Sequence, residues 1–167
     1  MKRSQLAGQP FIYIFAIVVA ALIIIFGVKA VRDTLSIGEK VEINVLIENL
    51  DKEVSSCLNL DYGSSCSLDK LRFNSNIKEV CFVNIDQDID YDGISDNTIK
   101  EIIRISVSSN ENDNLFFIPV KGKELEKVKG YVPNLRSNEN PLCARVVNSR
   151  VSLVLENKGN FVEIKKI

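Results

Sequence analysis

An unbroken apolar run from Phe11 to Val28, FIYIFAIVVAALIIIFGV, constrains this chain more than any other feature. It carries no charge and no strong helix breaker beyond Gly27. A helix of this length rises about 27 Å, close to the hydrocarbon thickness of a bilayer. No second run of the kind occurs. The sequence therefore reads as a short basic leader or cytoplasmic tail at 1–8, one transmembrane helix at 9–32, and one extracytoplasmic domain at 33–167. The run is longer than the apolar region of a secretory signal, and no small-residue cleavage site follows it, so the span is expected to stay with the protein.

The domain beyond the span has 135 residues, enough for its own core. All four charges in the first 32 residues are basic (Lys2, Arg3, Lys29, Arg32), which leaves the domain 17 basic and 22 acidic residues, a net charge of −5. That balance argues against nucleic-acid binding, which needs a concentrated basic surface. Basic residues flank the span almost equally, so the positive-inside bias does not orient it. The cysteines do: Cys57, Cys66, Cys81 and Cys143 are even in number, and with no histidine in the chain their spacing fits no zinc site. Two disulfides in an oxidising space are expected, which places the domain outside the cell and the N-terminus in the cytoplasm. Three pairings are open. Cys57–Cys66, closing a turn-rich loop, and Cys81–Cys143, tying an early strand to a late one, are favoured; four reduced core cysteines are the alternative.

The apolar helix is expected to continue. Ile43, Leu46, Ile47, Leu50, Val54, Cys57 and Leu58 recur at helical spacing, with Glu42, Glu48, Asp51, Lys52 and Glu53 on the opposite face. This predicts one helix of roughly 50 residues, apolar all round at first and amphipathic later, with a kink at Gly38. Turn residues fill Asn59 to Ser65. Strands are expected at 68–73, 79–85, 115–120, 142–147, 151–156 and 161–167, the last two joined by a hairpin turn at Asn157–Asn160. A helix is expected at 98–107, opened by a Thr98–Glu101 capping box, and a short charged helix or turn at 124–129. Residues 132–141 read as an irregular loop. The fold class is α+β: a long N-terminal helix, transmembrane then amphipathic, packed on an antiparallel sheet domain.

A half-membrane, half-amphipathic N-terminal helix leading into an antiparallel sheet resembles the layout of type IV pilins and their minor-pilin relatives. Met1 to Gly8 is a short basic leader ending Ala7-Gly8 directly before the apolar run. Prepilin peptidases of that family cut after such a glycine, which here would expose Gln9. Two positions depart from the pattern: Tyr13 stands where pilins usually carry a glutamate, and Ala7 where archaeal leaders usually carry a base. The chain is also similar to uncharacterised single-pass proteins of small-genome archaea in Gln9–Ile25, Asp61–Gly63, Glu79–Val83 and the closing hairpin. The resemblance implies a structural, adhesive subunit of a cell-surface filament or its tip, contacting the membrane and other pilin-like subunits through the helix. The rival reading is a plain signal anchor carrying a binding or scaffold ectodomain.

One segment suggests a metal. Asp88-Ile-Asp90-Tyr-Asp92-Gly93-Ile94-Ser-Asp96 follows the first half of an EF-hand-type calcium loop. Asp88, Asp90 and Asp92 would supply carboxylates, Ile94 a backbone carbonyl, and Asp96 a water-mediated contact. Position twelve is Ile99 in place of the usual bidentate acid. Calcium, in a structural role, is the one cofactor expected. No histidine means no serine–histidine or cysteine–histidine catalysis, and no phosphate-binding glycine loop occurs, so the chain is not read as an enzyme.

Overall fold

A computed structural model describes residues 9–68, 71–123, 125 and 127–167, with side chains placed for all of these except 9–11 and 32–40. The chain divides into two units, Met1–Gly38 and Glu39–Ile167. Helix α1, Gln9–Leu58, is 50 residues long and its helical assignment is continuous through Gly38. In the first unit Ile12–Val31 has a mean hydropathy of 2.9 and none of it is buried, which makes it long and apolar enough to cross a membrane.

The second unit is built around the C-terminal part of α1 and two four-stranded sheets. Ile43, Leu46, Leu50, Val54 and Cys57, spaced three or four residues apart, are all buried, while Glu42, Glu48 and Lys52 face solvent. Strands β1 (Ser65–Ser67), β7 (Leu153–Asn157), β8 (Val162–Lys166) and β5 (Leu135–Ser137) form one sheet in that order. Strands β4 (Lys129–Gly130), β3 (Leu115–Pro119), β2 (Ile77–Phe82) and β6 (Leu142–Arg145) form the other. All pairings are antiparallel except β5 with β8.

Alternation explains how the second sheet serves two cores. Val80, Phe82, Leu115 and Phe117 point into the main cluster with the α1 face and the first sheet. Their neighbours Cys81, Val83, Phe116 and Ile118 point the other way, onto Ile99 and Ile103 of helix α2 (Asn97–Ser108). Val80–Phe82 and β3 are consequently apolar at every position, as expected where a sheet is covered on both faces. Gly130 lies close under α1: a Cβ there would sit 2.5 Å from Cδ1 of Ile47.

The α+β class and the long helix agree with expectation, and several local expectations are corrected. The described residues of 68–73 form no strand; Leu68, Leu71 and Phe73 are buried from a coiled segment in which Leu71 N–H donates to Leu68 O and Phe73 N–H to Ser149 O. The region read as an irregular loop at 132–141 contains β5. The described residues of 124–129 form no helix, and Lys129 belongs to β4. The cap of α2 is Asp96, not a Thr98 box: its carboxylate accepts from Thr98 N–H at 2.9 Å and Ile99 N–H at 3.1 Å.

Candidate functional site

Both favoured disulfides are present. Cys57 at the end of α1 is bonded to Cys66 in β1, and Cys81 in β2 to Cys143, its direct cross-strand partner in β6. The first ties the helix to the edge of one sheet, and the second ties the edge strand β6 of the other sheet to β2. The processing residue Gly8 lies outside the described residues; Gln9 opens α1.

The acidic segment is organised by backbone capping. Asp90 accepts from Asp92 N–H at 3.0 Å and opens a 3-10 turn at Tyr91–Gly93. Asp96 caps α2. The fully exposed Asp92 carboxylate lies 3.9 Å from the Lys100 ammonium, and the Asp88 carbonyl accepts from the Asn140 amide at 3.0 Å. Ile94 is buried against α2, so this turn anchors the helix to the sheet. Asp88, Asp90, Asp92, Ile94 and Asp96 thus lie in one turn ordered by caps; among the described residues no three acidic or cysteine side chains are grouped to hold a metal ion. An aspartate before a helix is favoured as a cap by the same short carboxylate that makes it a ligand, which is why the sequence pattern serves either use.

A cleft of about 310 Å³ lies where four segments meet: the chain leaving β2, the approach to β3, the β4–β5 connection and the turn before β8. Asparagines dominate it. Two form its framework. Asn114 is buried; its amide donates to Val132 O at 2.7 Å and its oxygen accepts from Val132 N–H at 2.9 Å. Asn84 donates to Ser137 O and accepts from Ser137 N–H, bridging the two sheets, and its own backbone exchanges hydrogen bonds with the Asn140 side chain. Three more, Asn112, Asn134 and Asn160, are exposed at the rim. Tyr131, half exposed, and Phe161 add aromatic surface, and the Arg136 guanidinium sits 4.8 Å from the Phe161 ring centre. Asp86 supplies the lone carboxylate among the lining residues. Sequence reading missed this cleft because its residues are scattered from Val83 to Phe161 with no shared motif.

Charge pairing elsewhere is structural. Lys129 of β4 bonds Glu111 and Asp113, while the buried Ser106 hydroxyl donates to Glu111, joining the end of α2 to β4. The Lys129 ammonium and the Ser106 hydroxyl hold the Glu111 carboxyl below its ordinary range. On the outer face of the first sheet, Glu156 bonds Lys158 at 2.7 Å and Lys165 at 2.6 Å. These two donors, Lys158 foremost, lower its pKa to about 2. No family model matches the chain, and neither a curated protein nor a solved structure matches it.

Proposed function

We propose that the protein is a membrane-anchored, type IV pilin-like structural subunit of an archaeal cell-surface filament or its tip. Its N-terminus lies in the cytoplasm and its C-terminal domain outside the cell. The observation that supports this reading is the change of character along α1. Residues 12–31 expose apolar side chains on every face, whereas residues 43–58 commit one face to the domain core. A bilayer covers the first part during storage, and neighbouring subunits cover it on assembly. Two disulfides support an extracytoplasmic domain. The filament role does not depend on calcium at the acidic segment, where Asp90 and Asp96 serve as caps.

The test is the intact mass of the protein purified from its native membrane. A chain beginning at Gln9 supports prepilin-type processing and the filament role. A chain beginning at Met1 overturns it in favour of the second reading, an anchored surface ectodomain that binds a ligand without forming filaments. That second reading is favoured by the asparagine-lined cleft.

A further inference from the structure

We infer that the asparagine-lined cleft is a binding site for a neutral saccharide. The inference holds for a filament subunit and for a plain anchored ectodomain alike, since it uses only the second unit.

The lining selects the ligand class. Asn112, Asn134 and Asn160 are exposed at the rim, and their side-chain amides make no hydrogen bond within the protein among the described residues. Each amide offers two donors and an acceptor oxygen, the complement of a hydroxyl that both donates and accepts. Beneath them, Asn84 and Asn114 are engaged with backbone groups of β5 and the β4–β5 connection, so the framework of the cleft is held before any ligand arrives. The formal charges of the lining, Asp86 and Arg136, cancel. An anion would meet no net positive field there, and a fully apolar ligand would strand the rim amides without partners.

Aromatic surface completes the match. Tyr131 is 51% exposed at the cleft, and Phe161 is held in place under Arg136. Such rings pack against the C–H faces of a sugar while amides bond its hydroxyls. The volume, about 310 Å³, sits at the small end of ligand sites and suits a short terminal saccharide rather than a long chain. Asn134 holds a left-handed backbone, φ 57°, which turns the chain at the rim and which asparagine tolerates better than most residues.

The experiment is saturation-transfer NMR on the full chain in micelles of a zwitterionic detergent without a sugar headgroup. The probes are methyl α-mannoside, methyl β-galactoside and N-acetylglucosamine, with glucuronate and inorganic phosphate as charged comparisons. At least one neutral probe is expected to bind in the millimolar range with no transfer to phosphate. Asn134→Gly combined with Asn160→Ala preserves the backbone turn and removes two rim amides; it is expected to weaken binding about tenfold with an unchanged melting temperature. Tyr131→Ala is expected to weaken it similarly, and Arg150→Ala, away from the cleft, to leave it unaltered. Absence of transfer to every neutral probe overturns the inference. So does equal binding of glucuronate and phosphate, or binding that survives in Asn134→Gly/Asn160→Ala.

Discussion

Asparagines carry many of the long-range side-chain bonds of the second unit. Asn157, buried in β7, donates to the carbonyls of Leu58 and Leu60 and accepts from Gly159 N–H, so it satisfies the C-terminus of α1 and shapes the hairpin turn together. Asn114 closes the β4–β5 connection through Val132 and Leu135. Asn114→Ala strands the buried Val132 amide, and a loss of about 2 kcal/mol is expected in denaturant unfolding. Glu156 carries a pH signature. Its carboxyl is held at about 2, against an ordinary value of 4.5, by Lys158 and Lys165. A folded pKa lowered in this way contributes stability in full above the ordinary value and loses it as pH falls toward the folded one. The melting temperature of Glu156→Gln is therefore expected to lie below that of the wild type at neutral pH. The gap should close as pH falls from 4.5 toward 2. A gap independent of pH would show that the Lys158–Glu156–Lys165 cluster does not act through ionisation.

Elements differ in how far periodicity reveals them. The buried face of α1 was legible because Ile43, Leu46, Leu50, Val54 and Cys57 keep one helical stripe. Leu50→Ala is expected to cost about 3 kcal/mol, read from the denaturant midpoint, since the residue is 2% exposed. Helix α2 was legible too, but its start was not: Thr98-x-x-Glu101 satisfies the capping-box pattern while Asp96 takes the role. Asp96→Ala should lower stability by about 1 kcal/mol in the same assay, and Asp96→Asn by less. Strands β1 and β5 have three residues each, too few for a period of two to show. The opposite error occurred at 68–73, where apolar residues suggested a strand and the chain instead inserts Leu68, Leu71 and Phe73 from a coil. The two disulfides close loops of very different length, with sequence separations of 9 and 62. On loop-entropy grounds alone, Cys81→Ala/Cys143→Ala should cost about 4 kcal/mol and Cys57→Ala/Cys66→Ala about 2.5 kcal/mol. Denaturant midpoints of the two variants would rank them, and the reverse ranking would point to strain or residual structure in place of chain entropy.

At the scale of the whole molecule, an apolar helix that is long enough to cross a bilayer and a compact α+β unit are set by different information. That Ile12–Val31 is long and apolar enough to cross a bilayer follows from composition and length alone, because a bilayer asks only for about 20 apolar residues and internal backbone bonding. The chain is accordingly expected to remain with membranes after alkaline carbonate washing and to leave them only in detergent; release by carbonate would contradict a spanning helix. The α+β class, the amphipathic stripe, the closing hairpin and the presence of two disulfides were also legible, each from a local period, a turn signal or a count. Tertiary structure alone decided the use of the aspartates and the existence of the cleft. A carboxylate such as that of Asp96 can serve a cation or a helix N-terminus, and the folded chain places Asp90 at the start of the 3-10 turn and Asp96 at the start of α2 as caps. Asn84, Asn114, Asn134 and Asn160 become neighbours because the β5–β8 pairing and the Asn84–Ser137 bridge bring the two sheets together at that end. No sequence period encodes that meeting, since it is made by strands far apart in the chain and held by paired hydrogen bonds from asparagine side chains.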